Sequence, residues 1–441
     1  MRRFDVLIVG AGVAGSACAI MLARCGWNVA LVERQTFPRA KVCGECLGAG
    51  SFALLDALGV GAAVRAAAGP ELRQLVLMRG QESVCAPLPA ADAEHAYGRA
   101  VGREDLDTLL LAQAVACGVT LWQPWALQDV KGSAGGTGNW RCSLRDVTTQ
   151  ELCVVQADVL IDAHGSWEPL HSLRAPVPPA ASQLLAFKAH FQDTHIAPGT
   201  LPVLLMEGGY GGMVLGAQGL ATLACCIRRD RLNAIRTRYP ATSAGASVFA
   251  MLQQCHGVGQ ALQGAVRVGP WLAAGPLSTG MHLRPDDTLF RVGNAAGEAH
   301  PMIGEGMTMA LQSAWLLSRA LVAGRNLPTA SKSTWQSAVA REYAAQWAKL
   351  LQPRLRTAAV FAHLSMQPLA ATALVRTLHT FPSLLTYAAR WAGKAQDFAH
   401  FEALAASMSA YTQPTASRSH TDGNHAEHTA TDIDQGLRTP A

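Results

Sequence analysis

The chain has 441 residues, of which 50% are hydrophobic and 15% charged, and a formal net charge of +5. That is enough apolar material for a large buried core and for two or three domains. The lysines and arginines are scattered singly, which argues against a nucleic-acid footprint, and small anionic ligands suffice to explain the excess. Eleven cysteines, an odd number, show no structural-zinc spacing and read as reduced, small apolar residues, so no metal site is expected.

Arg2 and Arg3 precede a short apolar run, but glycines interrupt it too early for a secretory signal. No stretch of 18 apolar residues without a charge follows, so the expectation is a cytoplasmic protein without a transmembrane segment. Residues 4–10 (FDVLIVG) read as a strand, residues 13–25 as a helix ended by Gly26, and Trp27 to Val32 as a second strand. Strand, glycine turn, helix and strand make a βαβ unit with parallel strands.

Within GAGVAG, Gly10 permits the tight turn, Gly12 lets the backbone approach a pyrophosphate, and Gly15 lets helix and strand pack. The helix start at Val13 and Ala14 offers free amide hydrogens to phosphate. Glu33, followed by Arg34, ends the second strand where a carboxylate can accept both ribose hydroxyls of an adenosine. The unit is therefore a dinucleotide cradle, with NAD and FAD both open at this point.

Short strand candidates lie between 72 and 100, and Glu104 to Cys117 reads as a helix with acids in its first turn. Strands follow near 119–130, 140–147 and 151–163, with residues 132–139 as a hairpin loop. Residues 183–228 alternate as an antiparallel sheet does, with a turn expected at 208–212 (GGYGG) and a covering helix near 244–263. A strand at 289–292 then runs into Gly293, Asn294 and Pro301, and a helix opens at Gly304, Gly306 and Met307. Residues 331–408 are rich in Ala, Leu, Arg and Gln and read as helices, whereas 409–441 have hardly any large apolar residue and read as disordered.

The 290–307 segment (FRVGNAAGEAHPMIGEGM) resembles the flavin-ribityl segment of the para-hydroxybenzoate hydroxylase and geranylgeranyl reductase superfamily. Three more segments match that superfamily in the same order: FPRAKVCGECL at 37–47 with Lys41, REDLD at 103–107 with Arg103, and ADVLIDAHGSW at 157–167 with Gly165. The resemblance implies FAD as cofactor, an α/β fold with a Rossmann-like FAD-binding domain, an inserted antiparallel sheet domain for substrate, and a helical C-terminal region. The expected limits are 1–72, 101–182 and 276–330 for the first, 73–100 and 183–275 for the second, and 331–408 for the third. Asn294 stands where these families commonly carry Asp, His164 where an acidic or small residue is usual, and the paired-tryptophan motif of flavin halogenases is missing.

Only one cradle is visible, so electrons are expected from transient NAD(P)H, from another reduced carrier or from the substrate. The resemblance implies either hydroxylation of an electron-rich ring, towards which the reading leans, or reduction of an isolated double bond. A non-catalytic flavin redox carrier is a third reading. Cys43, Glu45 and Tyr210 are the candidate catalytic residues, because the KVCGE and GGYGG segments are expected to meet the flavin ring. The alternative is that Tyr210 is a core aromatic and Cys43 inert; His300 reads as a positioned loop residue rather than a base. The partner expected is a small-molecule substrate, with a peripheral membrane contact left open.

Overall fold

The computed structural model describes residues 1–394 apart from 92–94, 133–138, 167–179, 181, 286 and 326–331. The expected tail at 409–441, and most of the expected hairpin loop at 132–139, lie outside the described residues.

Arg2–Val9 is the centre of a seven-stranded sheet, paired in parallel with Val29–Val32 on one side and Leu152–Asp162 on the other. Its side chains alternate with the period-two rule of a strand. Val6 and Ile8 join a core with the helices Val13–Arg24, Arg103–Ala116 and Gly306–Arg325, while Leu7 and Val9 join a second core with Cys142 and Leu144. Both faces are thus covered, which is why the strand is apolar at every position from Val6 to Val9. The 11-residue strand Leu152–Asp162 is shared. Its first half pairs antiparallel with Trp140–Asp146, and its last residues pair in parallel with Leu289–Arg291.

The second seven-stranded sheet runs in the order Val266–Ala274, Leu184–Gln192, Ala221–Arg228, Gly209–Leu215, Thr200–Met206, Gln74–Arg79 and Glu82–Pro87. It departs from the antiparallel expectation at one place, since Thr200–Met206 and Gln74–Arg79 pair in parallel. Those strands are separated by more than 100 residues of chain that pass through the first sheet, the long crossover that parallel pairing needs. Short helices, Arg229–Arg238, Ala244–Leu252 and His256–Ala261, cover one face where a single helix near 244–263 was expected.

The GGYGG segment is not a turn as expected. The turn is at Glu207 and Gly208, and Gly209–Leu215 is a strand, pairing Tyr210 with Leu205 and Cys226. A Cβ at Gly209 would sit 2.6 Å from the Cys226 carbonyl oxygen and one at Gly211 2.8 Å from that of Ala224, so close approach between strands demands glycine here.

Helices Lys332–Leu350, Gln352–Met366, Pro368–Thr380 and Ser383–Ala389 follow. Pro353 and Pro368 sit in the first turns, where a missing N–H costs nothing, and the helices on either side of Pro368 bend by 103°. No single described helix is long and apolar enough to cross a membrane.

Candidate cofactor and active site

The three glycines of the first turn separate by what the protein itself requires. Gly10 has φ +107°, and a Cβ there would meet the Ala163 carbonyl oxygen at 2.5 Å. A Cβ on Gly15 would lie 1.8 Å from the Gly10 carbonyl oxygen. Gly12 is different: its φ is −72°, open to any residue, and a Cβ would find only the ends of Arg39 and Arg103, at 3.5 and 3.7 Å. The protein does not need glycine at 12, so the empty space there is suited to an approaching pyrophosphate. Two other glycines on the same cavity behave alike, since Gly44 has only Ala224 Cβ at 4.0 Å and Gly306 has nothing within 4 Å.

The cavity has a volume of about 220 Å³ and opens to solvent. The N-terminus of Val13–Arg24 and that of Gly306–Arg325 both line it, so unpaired backbone N–H groups and two positive helix ends face the same space. Behind the first turn, Glu33 accepts the amide hydrogens of Ala11 and Gln35, each at 2.9 Å, which leaves a lone pair on each oxygen for a ribose hydroxyl. Arg103 is buried and clamped to Asp107 by two hydrogen bonds of 2.9 and 2.7 Å. Burial alone would lower its pKa, but Asp107 and the neighbouring Cys43 more than reverse this, so Arg103 stays a fixed cation.

At the second glycine turn Gly293 takes φ +62°, and its N–H donates to Ser313 Oγ at 2.7 Å. The Asn294 amide donates to Ser166 Oγ at 2.8 Å and to Glu298 Oε1 at 3.2 Å. Glu298 also accepts from Ser166 Oγ at 2.6 Å and from the Ser278 amide at 2.9 Å. Burial pushes the Glu298 carboxyl up, against the pull of these donors and of Lys41. Asn294 therefore has a built partner set of its own, and a carboxylate in its place would face Glu298 as a like charge.

Glu45 sits at φ +55°, the left-handed region that non-glycine residues seldom enter. Its buried carboxylate is bound by Lys188 Nζ, by Thr222 Oγ1, by His190 Nε2 at 3.3 Å and by the Arg103 amide at 3.2 Å. Burial would raise its pKa, but the His190 bond, the Lys188 charge and the Thr222 bond bring it down to about 2. Lys188 is wholly buried and also donates to the Lys41 carbonyl at 3.3 Å. The network ties the Lys41–Cys46 loop to the second sheet and the strained residue is held by it.

Tyr210 lines the cavity, and its hydroxyl is 3.1 Å from His300 Nδ1. Burial, with Cys226 beside it, raises the Tyr210 pKa well above 10, and burial together with His363 lowers that of His300 to about 4. At neutral pH an uncharged phenol therefore shares a hydrogen bond with a neutral imidazole, whose ring stands 5.6 Å from that of the exposed His363.

Of the residues expected from the sequence, Gly12, Val13, Ala14, Lys41, Cys43, Glu45, Arg103, Gly165, Tyr210, Gly293, Asn294, Gly304, Gly306 and Met307 all line this one cavity. Gly10, Gly15 and Glu33 stand behind it as the frame of the turn, and Arg34 is exposed. Lys188, His190, Thr222, Ser166 and Glu298 were missed. The available signal was a lysine, followed two residues later by a histidine, inside the otherwise apolar LLAFKAHF run, on the face shared by Leu184 and Ala186.

The sequence pattern of the FAD binding domain family matches residues 3–347. The chain belongs to that family. FAD is its cofactor, in keeping with the space at Gly12 and the two helix ends. Conditioned medium factor receptor 1 of Dictyostelium discoideum is 26% identical over 344 residues, 73% of this chain and 64% of its own. Menaquinone reductase of Mycobacterium tuberculosis is 38% identical over 103 residues, 23% of this chain and 24% of the relative. The chain thus spans less than two thirds of the length of these relatives. Kynurenine 3-monooxygenase of Salinispora arenicola is 25% identical over 73% of both chains. Among solved structures, the myxobacterial halogenase CndH superposes with a TM-score of 0.68 at 21% identity, over 80% of this chain and 82% of that one. A geranylgeranyl bacteriochlorophyll reductase-like protein of Thermoplasma acidophilum superposes with a TM-score of 0.67 at 19% identity, over 84% and 90%. Both show the fold.

Proposed function

We propose that the protein is a FAD-dependent oxidoreductase, a monooxygenase that hydroxylates or otherwise oxidises an apolar aromatic, polyketide-like or lipid-like small molecule. The observation that carries this reading is one cavity with helix N-termini at its dinucleotide end and with Tyr210, backed by His300, in a wall that includes the apolar Leu201, Val203 and Met213. FAD, when bound, supplies the redox chemistry, taking electrons from a donor such as NAD(P)H for use on oxygen and substrate. The chain's own groups do the positioning. Held by neutral His300, the Tyr210 hydroxyl keeps hydrogen-bonding capacity towards the cavity for a substrate hydroxyl, orienting a phenol or enol. Its high pKa makes Tyr210 an orienting group rather than a phenolate base. The two helix ends and Arg103 hold positive charge where a reduced cofactor would be negative.

The alignment with kynurenine 3-monooxygenase over 73% of both chains supports this reading. The 38% identity to menaquinone reductase over 103 residues supports a second, reduction of an isolated double bond. The test is oxygen uptake and isotopic oxygen incorporation with a panel of alkyl-substituted phenols and NAD(P)H. Substrate-dependent incorporation is expected, and Tyr210→Phe should lower it or divert oxygen to peroxide. No uptake, with anaerobic reduction of a polyprenyl double bond instead, would select the second reading.

A further inference from the structure

Thirteen large hydrophobic side chains are exposed among the described residues, and seven of them fall between Val360 and Trp391. They sit where the helical pattern turns them outward. In Ser383–Ala389 and the turn after it, Leu385 and Ala389 face inward against Val84 and Val375, leaving Leu384, Tyr387 and Trp391 on the opposite face. In Gln352–Met366, Ala358 and Ala362 are buried while Val360 and Leu364 are exposed four residues apart. Ala392 packs on Ala358, so the two exposed rows belong to neighbouring elements. Trp391 is 77% and Leu369 88% exposed, which a protein facing only water has little reason to permit.

Charge on the same helices has one sign. From Gln352 to Lys394 there is no Asp or Glu, whereas Arg356, Arg376 and Arg390 are exposed along with His363 and His379. Exposed Trp, Tyr and Leu interleaved with arginine match the two demands of a membrane interface, apolar groups for the acyl boundary and cations for anionic headgroups. A protein partner would need an acidic apolar groove; an anionic bilayer meets both demands with no further complementarity.

We propose that the outer face of the helices between Val360 and Trp391 docks on an anionic lipid surface. The face lies in the interfacial plane, and no single described helix is long and apolar enough to cross the bilayer. The inner side of Gln352–Met366 meanwhile packs Ala362 and Met366 against Met302 and Tyr210, so the docked helix stands behind two residues of the cavity wall.

The experiment is flotation of the full FAD-loaded chain with vesicles of phosphatidylcholine, pure or with about a third phosphatidylglycerol. Binding is expected to the anionic vesicles, weakened by salt, and lowered about tenfold in Tyr387→Ser/Trp391→Ser, with flavin content and melting temperature unchanged. Arg376→Glu/Arg390→Glu serves as the second variant, and should abolish the preference for anionic vesicles while leaving the apolar row intact. The proposal is overturned by absence of vesicle binding, by equal binding of parent and both variants, or by a dimer in light scattering that Tyr387→Ser/Trp391→Ser dissociates while vesicle binding is absent.

Discussion

Replacing Lys188 with Met tests whether the buried charge network fixes the loop beside the cavity. Lys188 has no solvent access and Glu45 is 4% exposed, so water cannot take over the lost partner. Glu45 is held at about 2, where a free glutamate titrates at 4.5, a gap of about 3 kcal/mol of native stability at neutral pH. Removing one member of such a pair leaves an uncompensated buried charge, at a cost of about 3–5 kcal/mol. The sign follows from the lowered pKa: the contribution is complete above pH 4.5 and is lost as pH falls towards about 2. Urea unfolding at pH 7 should show Lys188→Met weaker by that amount, and Glu45→Gln/Lys188→Met recovering more than half of it. The acid limb below pH 4.5 should flatten in both. A loss under about 1 kcal/mol, or a double variant no better than the single one, would refute the reasoning.

Gly12→Val should leave circular dichroism near that of the parent while flavin retention falls, because only the ends of two arginines stand near its Cβ. Gly15→Ala should instead unfold the βαβ unit, with its Cβ 1.8 Å from the Gly10 carbonyl oxygen, and expression with thermal melting separates the two. His300, lowered from 6.5 to about 4, withdraws about 3 kcal/mol as pH falls through that interval. Unfolding of His300→Gln should lack this part of the pH dependence, and its turnover should fall with that of Tyr210→Phe. Glu33→Ala should weaken FAD binding by about 1–3 kcal/mol, measured by flavin titration.

The dinucleotide half of the fold was legible because local chemistry dictates it. Strand 4–10, Gly10, Gly12, Gly15 and Glu33 carry their geometry within one βαβ unit, and the structure builds that unit. The second sheet was less so. Its parallel pairing of Gln74–Arg79 with Thr200–Met206 is a long-range contact with no local mark. The GGYGG segment misled because five residues rich in glycine usually signal a turn, whereas here close strand approach demands them. At the site, Glu45 could be picked out by its loop, but its partners Lys188, His190 and Thr222 arrive from strands more than 140 residues away. A buried lysine is visible in sequence only as an interruption of an apolar strand, and its meaning depends on the carboxylate that meets it.

Gly12, Gly44 and Gly306 together form a ruler. None of the three has a positive φ, and each leaves room for a methyl group that nothing among the described residues fills. Alanine at each position in turn adds one carbon to a known spot on the cavity wall without disturbing the frame. The ratio of flavin affinity before and after each addition then reports how closely the bound molecule passes that spot, so three single-carbon substitutions trace the path of the ligand through the cavity by titration alone.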